Sequence, residues 1–155
     1  MSKTAKRVEE FHRAFNLPVG DRPATYQLRE EEKVVLNVIA SDLVMAVSYA
    51  RQGARVLASP SLNRMRLILE ELAELVEAVR DEDLGQVLHE SVDLRYVCDG
   101  LLVETGLVDV FDEGHRRVHE ANMNKLGPDG KPIYDSGGKV IKGPNFKPAD
   151  LSDLV

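Results

Sequence analysis

Apolar residues return at helical spacing along most of this chain, and punctuation residues divide the pattern into five segments. The first helix is expected over residues 4–16, stopped by Leu17-Pro18 with Gly20 beyond. Residues 20–24 read as loop. A long apolar helix follows, from Tyr26 or Leu28 to Gln52, with Gly53 as its expected end. Ser59 and Pro60 suit an N-cap and first helical residue, opening a third helix to about Arg80. Asp83 suits the cap of a fourth helix over residues 84–104, closed by Gly106. Asp109 is the expected cap of a fifth, over residues 110–125, with Asp112 and Glu113 favourably placed near its positive end.

The pattern changes after Gly127. Gly127-Pro128-Asp129-Gly130 and Ser136-Gly137-Gly138 are turn chemistry, and residues 133–134 and 139–141 can pair as a small hairpin. The expected architecture is therefore all-α: one helical domain over residues 1–126, with an irregular tail over 127–155 lying on it. No internal repeat and no low-complexity run interrupts it.

Two helices carry acids where water-facing decoration does not explain them. The third contains Glu71-x-x-Glu74 and the fourth Glu90-x-x-Asp93. At about 100° per residue, Glu90 and Asp93 fall within roughly 60° of one another. They share that arc with Leu94, Val97, Gly100 and Leu101, while Ser91, Arg95 and Asp99 mark the wet side. Glu71 and Glu74 share a stripe with Leu67, Leu75 and Ala78, and Glu70 drifts toward the opposite side. Buried carboxylates cost several kcal/mol each, of order ~3, unless something compensates. A divalent cation does so, and oxygen donors without thiolate or imidazole at these positions suit magnesium or manganese.

Composition narrows the function classes. The charged fraction is 30%, the apolar fraction 43%, and the net charge −6. An acidic chain is a poor binder of long nucleic acid, whereas a nucleotide that arrives with magnesium is compatible with an acidic site. One cysteine, Cys98, excludes an internal disulfide and suits a reducing, cytoplasmic setting. No apolar run follows the basic start, so no signal peptide is read, and residues 34–50 look too short and too polar to span a membrane.

With Asn122-x-x-Lys125 added on the fifth helix, the order of motifs resembles the all-α NTP pyrophosphohydrolase superfamily. That group includes the MazG-like proteins, the dimeric dUTPases and phosphoribosyl-ATP pyrophosphohydrolase. Supporting strings are Phe11-His12-Arg13-Ala14-Phe15, Leu69-Glu70-Glu71-Leu72-Ala73-Glu74-Leu75 and the run from His115 to Gly127. The resemblance implies a helical bundle completed by dimerisation (a homodimer or tetramer), with magnesium held by Glu71, Glu74, Glu90 and Asp93. It implies cleavage of a nucleoside triphosphate between its α- and β-phosphates, as nucleotide housecleaning. Asn122 and Lys125 would bind phosphate oxygens, and Lys125 would neutralise the leaving pyrophosphate. Glu70 matches a third acid that can orient or deprotonate the attacking water. Tyr96 and His12 are candidate contacts to the base. The apolar helix at 28–52 departs from compact members, as do Arg95 and Asp99 after the second acidic pair.

Four other readings compete. Ferritin-like di-metal bundles use Glu-x-x-His pairs, which neither motif here supplies. His115 and His119 have the spacing of helical zinc ligands but lack an adjacent glutamate. A non-enzymatic helical module explains the amphipathic helices and not the acids on apolar arcs. Phosphoribosyl-ATP hydrolysis is the nearest enzymatic rival. Gly137-Gly138 has no following Lys-Ser or Lys-Thr, so it is no phosphate loop.

Overall fold

The computed structural model describes residues 2–155, and they form five helices in two compact units. One unit comprises residues 22–105 and the other residues 2–21 with 106–155. This division does not follow the change in composition at residue 126: the tail groups with the first and last helices.

The unit of residues 22–105 contains α2 (Glu30–Leu57), α3 (Pro60–Arg80) and α4 (Leu84–Thr105), with α3 packed between the other two. Glu32 starts α2 by accepting from the Arg29 backbone N–H at 2.8 Å, and Glu30, Glu31 and Glu32 sit at the positive end of its dipole. The helix runs through Gly53, its expected end, and stops at Ala58 in the left-handed conformation. A glycine inside a helix costs about 1 kcal/mol relative to alanine. Here it admits Leu62 of α3, whose Cδ1 would lie 3.1 Å from a Cβ at that position. At 28 residues α2 is long and apolar enough to cross a membrane by length and composition, so the expectation that this region is too short does not hold.

Ser59 caps α3 as expected, its hydroxyl accepting from the Leu62 N–H at 3.3 Å. Asp83 accepts from the Gln86 N–H at 3.1 Å to start α4, and Gly106 closes it at φ 72°. Glu82 braces the corner between α3 and α4: one oxygen accepts from the Leu28 N–H and the other pairs with Lys33, both at 2.9 Å. Farther along, Arg64 crosses from α3 to Glu104 of α4 at 2.5 Å. It passes so close to Gly100 that a Cβ there would lie 2.5 Å from its Nη1.

The buried residues between these helices are small, namely Ala40, Val47, Ala73, Ala78 and Val97, plus one charged residue, Glu90. Large apolar side chains lie exposed on α2 at Val34, Val38, Met45, Tyr49 and Val56, and on α4 at Leu88, Val92, Tyr96 and Val103. At helical spacing each set forms one stripe.

In the other unit, α1 (Lys3–Ala14) packs on α5 (Val108–Met123). Ser2 caps α1, and α5 begins at Leu107 without a side-chain cap, Asp109 lying inside the first turn instead. Phe15 is fully buried, stacked 4.2 Å from Phe11, and its carbonyl accepts from the Tyr134 hydroxyl at 2.7 Å. The small hairpin is a single antiparallel bridge between Tyr134 and Val140. The chain end is held by Arg117, which pairs with both oxygens of Asp153, at 2.5 and 2.9 Å.

Candidate metal centre

The site is built on the α3–α4 hairpin. The three-residue corner sets the two helices side by side, so one acidic pair on each comes to face the other. The i,i+3 spacing puts Glu71 beside Glu74 and Glu90 beside Asp93 on adjoining turns. Ligand-capable oxygens of Glu71, Glu74 and Glu90 all lie within 4.8 Å of one another.

Glu90 is the centre of the arrangement. It is only 7% exposed, and its Oε2 is buried without a hydrogen-bond partner among the described residues. A buried carboxylate oxygen in that position calls for a cation or a proton. Its neighbours supply more negative charge. Burial pushes the Glu71 carboxyl up, and the charges of Asp93 and Glu90 push it further. Glu74 is raised by the same loss of water, by Glu90 and Glu71, and by a hydrogen bond shared with Glu90. A divalent ion among these acids would offset the repulsion and loss of water that raise Glu71 and Glu74. The donors are hard oxygens, which fits the ion expected from the sequence.

Asp93 lies half-buried on the same helix face and adds a side chain that the sequence reading passed over. His89 Nε2 stands 3.2 Å from Asp93 Oδ2. His89, Glu90 and Asp93 form a second group of ligand-capable atoms within 4.8 Å of one another, sharing Glu90 with the first. The i,i+4 spacing of His89 and Asp93 was the available signal.

Glu70 has a neighbourhood different from the one expected of a base. Arg51 of α2 donates to one carboxylate oxygen at 2.5 Å, and Arg66 donates to the other. Burial raises the Glu70 carboxyl, and these two guanidinium hydrogen bonds outweigh it, holding it below its ordinary value. Arg51, Arg55 and Arg66 line a cleft of about 420 Å³ beside the start of α3.

The remaining expected residues occupy other places. Tyr96 is 79% exposed on the apolar stripe of α4. Asn122, Lys125 and His12 belong to the unit formed by α1, α5 and the tail. There Lys125 Nζ donates to Asn122 Oδ1 at 2.8 Å, which spends one of its three N–H bonds and leaves the Asn122 amide N–H groups for another acceptor. His12 Nδ1 lies 2.8 Å from the Pro18 carbonyl, which can only accept, so this nitrogen donates and ties down the chain leaving α1. His119 pairs with Glu10 at 3.2 Å, and no group of three metal-ligating side chains includes His115 or His119 among the described residues.

The fold is all-α, with acidic pairs on neighbouring helices around one buried glutamate. Residues 46–122 match the family model of phosphoribosyl-ATP pyrophosphohydrolase. A crystal structure from Exiguobacterium sp. 255-15, of a protein described as a "putative NTP pyrophosphohydrolase", is 28% identical in sequence with a TM-score of 0.58. The likeness covers 99% of this chain and 92% of that one. None of the curated proteins matches. The two likenesses place this chain in the all-α NTP pyrophosphohydrolase superfamily, a group of hydrolases acting on phosphoric anhydrides.

Proposed function

We propose that this protein hydrolyses a nucleoside triphosphate between its α- and β-phosphates, releasing the monophosphate and pyrophosphate, with magnesium (or manganese) held by Glu71, Glu74, Glu90 and Asp93. The observation that carries this reading is the buried, partnerless Oε2 of Glu90 among three further carboxylates. A structural ion pair would have supplied a basic partner there; a cation site leaves that oxygen to the ion. The bound cation supplies charge neutralisation at the phosphates and a lower pKa for the attacking water.

The protein's own groups divide the remaining tasks. The paired carboxylates hold the ion in one place and in a fixed orientation to the hairpin. Lys125 neutralises charge on the leaving pyrophosphate, and Asn122 donates from its amide to a phosphate oxygen. Glu70 acts by fixing Arg51 and Arg66 rather than by taking a proton. Tyr96 offers an open aromatic face to the base, with His12 as the further candidate. The uncovered stripe on α2 supports assembly as a homodimer, since a row of exposed valines, methionine and tyrosine is expensive to leave in water. Removal of unwanted nucleotides from the pool is the role proposed for this activity.

A second reading has its own observation. The matched family model covers the residues of both acidic pairs and Asn122, which favours phosphoribosyl-ATP as the substrate. Pyrophosphate release from a panel of ribo- and deoxynucleoside triphosphates and phosphoribosyl-ATP, with and without magnesium, separates the two. Magnesium-dependent release from one or more triphosphates supports the proposal. Release from phosphoribosyl-ATP alone transfers it to the second reading, and no release from any overturns both.

A further inference from the structure

We propose that His89 makes the second half of this centre a nitrogen-bearing position that favours a transition-metal divalent ion, cobalt above manganese, over magnesium. The inference rests on reading the carboxylates as a metal centre and goes beyond it in donor set and selectivity. His89 Nε2 and Asp93 Oδ2 are 3.2 Å apart. Adjacent ligands of a six-coordinate ion with bonds of about 2.1 Å are separated by about 3 Å, so the pair is already spaced to bind one ion side by side. A simple ion pair accounts for those two residues alone. It leaves Glu90 unexplained, whose ligand-capable oxygen lies within 4.8 Å of both and whose Oε2 is buried without a partner.

The surroundings suit an exchangeable ion. The His89 and Asp93 side chains are 66% and 42% exposed, so the position opens to solvent while its third donor is anchored inside the hairpin. That leaves room for water to complete the coordination. The two groups also differ in chemistry. Glu71, Glu74 and Glu90 offer oxygen only, which suits magnesium. The imidazole nitrogen raises affinity for cobalt and zinc relative to magnesium, and for manganese to a smaller degree. Glu90 belongs to both groups, so the oxygen-only set and the nitrogen-bearing set meet at one carboxylate.

The test uses the full chain loaded with one equivalent of Mn²⁺ in excess Mg²⁺. Electron spin-echo modulation of the manganese signal is expected to show coupling to an imidazole ¹⁴N, and His89→Gln is expected to abolish it. His12, His115 and His119 remain in that variant, so persistence of the coupling would overturn the proposal. Calorimetric titration is expected to show Co²⁺ binding about tenfold weaker in His89→Gln, with Mg²⁺ affinity changed by less than about twofold. Manganese bound with no nitrogen coupling would remove His89 from the centre while leaving the all-oxygen position standing. No binding of Mn²⁺, Co²⁺ or Mg²⁺ to the unmodified protein would overturn this proposal and the metal-centre reading together. Because His89 lies on an exposed helix face, circular dichroism of His89→Gln is expected to match that of the parent.

Discussion

Arg51 on α2 donates to Glu70 on α3 across 2.5 Å, and Arg66, one turn before Glu70, donates to its other oxygen. The carboxylate is ionised and fully engaged, which makes it an organiser of two guanidinium groups. Glu70→Gln is expected to lower stability by only about 1 kcal/mol, because the Arg51 partner is largely in water. Its folded pKa is depressed, so the contribution is present above the unfolded carboxylate value and is lost as pH falls through the folded one. The turnover number is expected to fall by less than about tenfold, since no proton transfer is removed. Steady-state kinetics checks this, and a loss above about a hundredfold in a fully stable variant would return Glu70 to the role of base.

Glu90 separates stability from function. Glu90→Gln replaces a buried carboxylate, whose Oε2 has no partner, with a neutral amide, so the melting temperature of the metal-free protein is expected to hold or rise. The rise in melting temperature on adding magnesium is expected to disappear. Asp93→Asn is expected to abolish turnover with an unchanged circular dichroism spectrum. Full activity of Asp93→Asn would sink the proposed function.

The acids of the hairpin predict an unusual pH dependence. Glu71 and Glu74 have folded pKa values above their unfolded ones. Their contribution to metal-free stability is therefore complete below the unfolded carboxylate pKa and is lost as pH rises through the raised folded values. Thermal melts in a chelator are expected to lose this contribution across that window, and magnesium to restore stability on its alkaline side. A metal-free profile in which Glu71→Gln and Glu74→Gln change nothing across the window would contradict this.

The stripe on α2 has its own test. Val38 and Tyr49 are 55% and 69% exposed. Replacing both with glutamate is expected to leave the helical content unchanged and to convert a dimer to a monomer in sedimentation velocity. If the parent protein sediments as a monomer, the stripe needs another explanation.

In α5, Glu113 accepts from both Arg116 and Arg117, and its carboxyl is lowered to about 2. Carboxyl-carbon NMR is expected to give a titration midpoint near that value. Arg117→Ala removes one of those partners and also the clamp on Asp153, so the midpoint is expected to rise. Limited proteolysis is expected to reach the last residues of the chain sooner in that variant.

The helices were legible because capping and periodicity are local. Ser59-Pro60, Asp83 and Gly106 stand at the boundaries they announced. The acidic pairs were legible for a related reason: three-residue spacing on an apolar arc is a conflict visible in one dimension. Misreadings arose where a distant partner outweighed a local rule. Gly53 looked like a stop, and Leu62 made it a close-packing site. Glu70, read as a third acid able to orient or deprotonate the attacking water, is held by Arg51, nineteen positions away, a partner that no local rule announces.

By itself, then, the sequence determined an all-α chain, the starts of α3 and α4, and two acidic pairs on neighbouring helices, of which the fold buries Glu90 and leaves Glu74 exposed. Helical periodicity and side-chain charge suffice for that. Only the tertiary structure decided which of those carboxylates is left without a partner, that His89 stands beside Asp93, and that Arg51 and Arg66 hold Glu70. The physical reason is that burial and hydrogen-bond satisfaction depend on what the neighbouring helix brings, and α2, α3 and α4 meet only once the chain has folded.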